Sequence, residues 1–271
     1  MKTIISCIGS GNMGTALMKG AGAFAGPENL GFSDADKSKA KAAAVSMGGQ
    51  VYDSNIEAVE KADFVFLAVK PQILKSVLEE IAPTLKERLK TGKAPVLVSM
   101  VTGWTMAKIQ EVLAVHTPLI RIMPNTPALI SKGLIVLCHS PEVQPEKVLE
   151  LERILGAAGM VEKLEERYFD AVTGLCGSGP AFVYMFIEAL SDAGVRSGLP
   201  RDKALVYASQ MVLGSAAMVL ETKKHPAELK DMVCSPGGTT IAGVAALEKG
   251  CFRGTVMSAV DAAWQRAVEL G

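Results

Sequence analysis

The sequence predicts an α/β domain with a mostly parallel, doubly wound sheet, followed by an all-α domain, and three observations carry that prediction. Residues 1–164 alternate short apolar runs with amphipathic stretches of helical length, the pattern of βαβ units. The first apolar run, residues 4–8, ends in Gly9, Gly11 and Gly14 at the GxGxxG spacing, and an amphipathic stretch follows at 15–24. From about residue 165 no strand pattern recurs, and segments of helical period are separated by Gly or Pro. The expected domains are therefore 1–164 and 165–271.

Strand, glycine turn and helix in that order mark a dinucleotide-binding, Rossmann-type unit. Gly9 permits the tight turn, Gly11 lets a pyrophosphate approach the backbone, and Gly14 lets the helix pack close to the strand. The N–H groups of the helix start, at Asn12 and Met13, face the anion. After the breaker cluster at 26–29, residues 30–33 read as a second strand and 36–47 as a helix ended by Gly48 and Gly49. Residues 62–69 form a continuous apolar run, the mark of a strand buried on both faces. Pro71 suits the first turn of the helix expected to reach residue 89. Further strands are expected at 95–100, 119–123 and 132–139, helices at 105–113 and 145–155, and a short edge strand at 160–162.

In the second domain, helices are expected at 166–175, 178–196, 201–221, 226–232, 239–248 and 251–270. The stretches 181–193 and 204–220 are apolar nearly all round, so they must be buried on most sides. A hundred-residue bundle has few positions so enclosed, which points to burial against another subunit; the alternative is a central helix of a monomeric bundle.

Composition excludes several classes. Lys plus Arg and Asp plus Glu total 28 each, and this balance argues against nucleic acid or an anionic membrane as the main partner. The five cysteines are odd in number, scattered and without a CxxC pair, as expected in a reducing, cytoplasmic setting. His116, His139 and His225 sit in no metal-ligand spacing, so no metal is expected. No run of eighteen apolar residues occurs, so no membrane span is expected. A signal peptide is rejected because cleavage near residue 25 would destroy the glycine loop.

Candidate site residues sit where strands should end. Beyond the second strand, Asp34 pointing at the adenosine ribose would favour NADH. Ser33 doing so, with Lys37 nearby, would tolerate a 2′-phosphate; Asp34 could equally cap the next helix. Val69, Lys70 and Pro71 lie at the end of an inner strand, where Lys70 can approach cofactor phosphates. Asn125 and Thr126, held between two prolines, lie near the expected nicotinamide. Two glycine-rich loops, at 174–181 and 234–240, each open an apolar helix and expose successive N–H groups as a carboxylate or phosphate cradle; close helix packing would also call for glycine there. The second adds the hydroxyls of Thr239 and Thr240.

Five stretches together resemble the pyrroline-5-carboxylate reductases, which catalyse the last step of proline biosynthesis. They are the glycines 9–14, FLAVKP at 66–71, MPNTPA at 123–128, AVTGLCGSGPAF at 171–182 and HPAELKDMVCSPGGTTIAGVAALE at 225–248. The last is the most specific, since related hydroxyacid dehydrogenases share only the N-terminal fold. The resemblance implies an oxidoreductase that reduces a cyclic imine to L-proline with NADPH or NADH. It also implies a helical dimerisation domain, a homodimer and often a decamer. By matching position, Asn55 meets the adenosine end of the cofactor. Ala68, Lys70, Pro71 and the turn after Val98 line its channel, and Ser235, Gly237, Gly238 and Thr240 hold the substrate. The backbone from Ser235 to Thr239 fixes the carboxylate, and Thr240 places its hydroxyl at the imine nitrogen as the catalytic group. Met232, where several relatives carry a polar residue, leaves a contact in question. Asp34 stands where NADPH-preferring relatives often have Ser, which leaves the cofactor preference open. A hydroxyacid dehydrogenase would need a Lys on the first long helix of the second domain, and residues 180–196 hold none. A dinucleotide-sensing regulator need not keep the Ser235–Thr240 loop intact.

Overall fold

A computed structural model describes residues 2–271. The chain forms two compact units: residues 2–178 joined by Ala263–Gly271, and Gly179–Ala262 between them in sequence. As far as its last strand, the first unit is built on eight strands and six helices. In chain order they are β1 (Ile5–Ile8), α1 (Asn12–Ala25), β2 (Leu30–Ser33), α2 (Lys37–Met47), β3 (Gln50–Val51), α3 (Asn55–Lys61), β4 (Phe64–Leu67) and α4 (Pro71–Lys90). Then follow β5 (Val96–Ser99), α5 (Met106–Leu113), β6 (Leu119–Pro124), β7 (Gly133–His139), α6 (Pro145–Gly156) and β8 (Gly159–Lys163).

The strands lie in the order β3-β2-β1-β4-β5-β6-β7-β8. Every neighbouring pair is parallel except β6 and β7. Chain order reverses direction across the sheet at β1, where β2 lies on one side and β4 on the other, and the crevice there opens at the carboxyl ends of the strands. The inner strands β1, β2, β4 and β5 are buried at every position, as their continuous apolar runs require.

Local signals set the helix ends. Asp36 caps α2, and Gly48 ends it in the left-handed region at φ 73°. Pro71 stands first in α4, and the Thr105 hydroxyl caps α5. No apolar period marks β3 or α3, and neither is among the expected elements. A cue was present: the Ser54 hydroxyl accepts the Glu57 N–H, and the Glu57 carboxylate reaches back to the Asp53 N–H, a variant of the capping box.

One ion pair, its arginine buried, holds the segment after β8 to the sheet. Arg121 of β6, 2% exposed, donates to Glu166 at 3.0 Å and lies 4.9 Å from the Phe169 ring centroid. The same Glu166 oxygen accepts the Met106 N–H at 2.7 Å, at the start of α5. The segment from Glu166 is irregular: a 3-10 turn, a short α7 (Phe169–Val172) and a π-helical turn at Thr173–Gly177. This corrects the expectation of a glycine-rich loop at 174–181. The stretch is wound as helix, with Ser178 N–H donating to Thr173 O at 2.9 Å. Its glycine has another use: a Cβ on Gly174 would stand 2.9 Å from the Trp264 nitrogen, so the turn and the last helix pack backbone to backbone.

The second unit contains α8 (Gly179–Arg196), α9 (Arg201–Thr222), α10 (Pro226–Val233), α11 (Thr239–Lys249) and most of α12 (Phe252–Leu270). Ala204 and Ala208 of α9 and Ser191 of α8 are buried where these two helices pair. Most of the remaining apolar surface of α8 and α9 is uncovered. By length and composition α9 could cross a membrane. Ser209, Gln210 and Ser215 interrupt its apolar run.

Candidate active site

In the first unit the glycine loop joins β1 to α1 at the crevice. Gly9 adopts φ +99°, and a Cβ there would lie 2.6 Å from the Ala68 carbonyl oxygen, so only glycine fits. A Cβ on Gly14 would lie 2.7 Å from the Gly9 oxygen and 2.9 Å from the Ala68 Cβ. Around Gly11, by contrast, space is open. No side chain caps the start of α1, leaving its first-turn N–H groups for an outside acceptor. The Ser10 hydroxyl oxygen is buried without a partner. An open glycine, uncapped N–H groups and an orphaned hydroxyl fit the phosphates of a dinucleotide.

The adenosine edge is built from the end of β2. The Asp34 carboxylate accepts the Ser10 N–H at 2.7 Å and the Asp36 N–H at 2.9 Å. Ser33 is 2% exposed, and its hydroxyl donates to Asn55 Oδ1 at 2.8 Å. Asn55 in turn donates to Glu80 at 2.7 Å. Lys37 hands its ammonium to the Asp53 carbonyl. Thus Asp34 and Asn55 are brought to one edge, while the Ser33 hydroxyl is buried behind them.

At the end of β4, Ala68 and Val69 are half-buried beside the glycine loop, and Lys70 is exposed as the uncapped N-cap of α4. After β5, the buried Ser99 hydroxyl accepts the Val101 N–H. Asn125 is committed to structure: its Oδ1 accepts the Leu134 N–H at 2.9 Å and pins the turn between β6 and β7. Thr126 is exposed at the start of a 3-10 helix. Cys7 lies beneath the loop, its thiol donating to the Gly9 oxygen at 3.2 Å. Burial, with Asp34 adding to it, pushes that thiol up to about 12. It is therefore protonated and inert at neutral pH.

In the second unit the candidate loop connects α10 to α11. Ser235 O accepts the Gly238 N–H at 3.0 Å, closing the turn. Gly237 adopts φ +67°, and a Cβ on Gly238 would stand 2.2 Å from the Ser235 hydroxyl. Gly238 is the N-cap of α11 and provides no side-chain cap, so the N–H groups of Thr239 and Thr240 open the helix uncapped. Thr239 is exposed and Thr240 half-buried. Such a turn can hold a carboxylate on backbone N–H groups, with a hydroxyl beside it. Met232, on the preceding helix, is 66% exposed.

A concavity of about 1090 Å³ lies elsewhere, between the carboxyl ends of α4 and α5, lined by Glu60, Arg88 and Val115 among others. It contains none of the candidate residues. Among the described residues no cluster of three His, Cys, Asp or Glu could hold a metal ion.

Two family models match the chain. "Pyrroline-5-carboxylate reductase dimerisation" covers residues 166–270, and "NADP oxidoreductase coenzyme F420-dependent" covers residues 4–101. The pyrroline-5-carboxylate reductase of Glycine max is 43% identical over 97% of this chain and 94% of its own. Among solved structures, the pyrroline carboxylate reductase of Plasmodium falciparum, with NADP bound, superposes with a TM-score of 0.87. It is 32% identical and covers 100% of this chain and 99% of its own. The enzyme of Coxiella burnetii gives a TM-score of 0.89 at 31% identity, over 100% and 99% of the two chains. Sequence and fold agree along the full length, and the chain belongs to the pyrroline-5-carboxylate reductase family.

Proposed function

We propose that this chain reduces (S)-1-pyrroline-5-carboxylate to L-proline, the last step of proline biosynthesis, with NADPH or NADH as hydride donor. The observation that carries the substrate assignment is the turn before α11. Its uncapped N–H groups and the Thr240 hydroxyl stand at the start of one helix, within the region matching the family's dimerisation model.

In this reading Gly9, Gly11, Asn12, Met13 and Gly14 hold the dinucleotide phosphates. Asp34 and Asn55 hold the adenosine ribose, with Ser33 behind them and Lys37 beside them. Ala68, Val69, Lys70 and Pro71 line the channel. Asn125 and Thr126 border the nicotinamide, Asn125 chiefly by fixing the turn. When bound, the reduced nicotinamide supplies a hydride to the imine carbon as the C=N π pair moves to nitrogen. The nitrogen carries one proton taken from water, so the sum is one hydride and one proton per proline formed.

The N–H groups of the Ser235–Thr239 turn other than that of Gly238, which is spent on the Ser235 carbonyl, bind the carboxylate, and Gly237 and Gly238 give the turn its close approach. The Thr240 hydroxyl holds the protonated nitrogen in place. Because the imine can arrive protonated, no buried acid is needed and the work is positioning.

The uncovered apolar helices support a homodimer built through the second unit. The free cysteines fit a reducing, cytoplasmic setting. Replacing Thr240 by Ala should lower kcat/KM for pyrroline-5-carboxylate about 10²-fold while dinucleotide binding is unchanged. Nicotinamide oxidation followed at 340 nm reads the rate, and an unchanged kcat/KM would refute the role of Thr240.

A further inference from the structure

We infer that the carboxylates at the start of α2 make this chain prefer NADH over NADPH, with Asp34 as the residue that sets the preference. The inference rests on the dinucleotide site proposed above and names which donor that site takes.

A 2′-phosphate needs N–H donors or cations at the end of β2, where it brings nearly two negative charges. Five of the nearest candidates, the Asp36 and Ser38 N–H groups, the Lys37 and Lys39 ammonium groups and the Ser33 hydroxyl, already have partners. The Asp36 N–H donates to Asp34 at 2.9 Å, and the Ser38 N–H donates to the Asp36 carboxylate at 3.0 Å. The positive end of α2 is thus filled by two side-chain carboxylates. Lys37 is turned to the Asp53 carbonyl, and Lys39 lies 3.8 Å from Asp36. The Ser33 hydroxyl is buried and spent on Asn55.

Arginine, the usual partner of a 2′-phosphate, does not occur before Arg88. Arg88 itself donates to the Val59 and Ala62 carbonyls. A ribose 2′-hydroxyl would instead find what it needs: the half-buried Asp34 carboxylate, held against the glycine loop by the Ser10 N–H at 2.7 Å. The same carboxylate repels a phosphate placed there. Other members of the fold do take NADP, as the Plasmodium falciparum structure shows for that protein. The preference is therefore decided by residues at this edge and not by the fold.

The test is direct binding of NAD⁺ and NADP⁺ by titration calorimetry to the full chain and to Asp34→Asn and Asp34→Ser. Asp34→Asn keeps an acceptor for the Ser10 N–H while removing the charge, so it guards against loss of the loop; thermal melts confirm folding. The expected result is NAD⁺ binding at least about tenfold tighter than NADP⁺ to the wild-type chain. Both variants should reduce that ratio at least about fivefold. Equal or tighter NADP⁺ binding by the wild type, or an unchanged ratio in both folded variants, overturns the inference and leaves the reductase reading intact. Failure of the folded wild type to bind either dinucleotide overturns both.

Discussion

In the sheet unit Phe32, Phe64, Phe66 and Phe169 are fully enclosed by their own chain. In the helical unit Met185, Val206, Leu213 and Leu220 are each 60% exposed or more. Both regions are rich in apolar residues, so composition does not separate them; period and cover do. A sheet strand has two faces, and α1, α4 and α6 cover them from within the same chain. Helices α8 and α9 bury little more than small side chains against each other, leaving Leu, Val and Met outward. One core is completed by the chain that makes it, and the other is open to completion by a second copy. Exposed apolar area on this scale marks an interaction surface.

The comparison can be broken first at α9. Val206→Asp with Leu213→Lys puts charges on the uncovered helix. It should weaken self-association at least about 100-fold, read by sedimentation velocity across a dilution series. Unchanged sedimentation would mean that these residues face no partner.

A single substitution should cost the sheet unit its own latch. Glu166→Ala leaves the Arg121 guanidinium buried without its carboxylate and removes an acceptor from the Met106 N–H. A loss of about 3 kcal/mol in urea unfolding is expected. A loss below about 1 kcal/mol would show the pair to be dispensable.

Per unit of pH, the smallest effect is the alkaline one. Cys7 and Cys138 are both pushed up from 9.0 to about 12, by burial foremost, with Asp34 and Glu166 respectively adding to it. Their raised folded values mean that the unfolded thiols ionise first. Their contribution to stability is whole below about pH 9 and is lost as pH rises toward 12. Each should cost about 1 kcal/mol per pH unit across that window. Cys7→Ala with Cys138→Ala should flatten the alkaline limb of the melting curve, and an equally steep limb would assign the loss to other groups. In contrast, the exposed Cys251 should be alkylated by iodoacetamide at pH 8 while the two buried thiols are spared.

Much of the fold was legible because period and punctuation agreed. Gly9, Gly11 and Gly14, the apolar run ending at Leu67, Pro71 and Gly48 each act within a few residues of themselves. The two-residue β3 and the seven-residue α3 are too short for periodicity to register, and only Ser54 and Glu57 announced them. The glycines of 174–181 suggested a loop because glycine favours loops; here Gly174 serves close helix packing against Trp264. The adenosine edge was undecidable from sequence because Ser33, Asp34 and Lys37 were all plausible contacts. Their hydrogen bonds reach to Asn55, Ser10 and Asp53, which only the folded chain brings near. The Arg121–Glu166 pair spans 45 residues and was missed, although an arginine inside the apolar strand LIRIM was a visible irregularity.

The last nine residues, Ala263–Gly271, belong to the sheet unit, and Gly103 meets Leu270 so closely that a Cβ there would stand 2.3 Å from its carbonyl oxygen. The helical unit is therefore an insertion whose two ends both return to one body, and not a tail. Cutting the chain once, after residue 178, would not release a sheet unit. It would leave one stripped of its closing helical turns, with Trp264 gone from beside Gly174. A free-standing sheet unit calls for two cuts and a splice, joining residue 178 to residue 263 through a short linker.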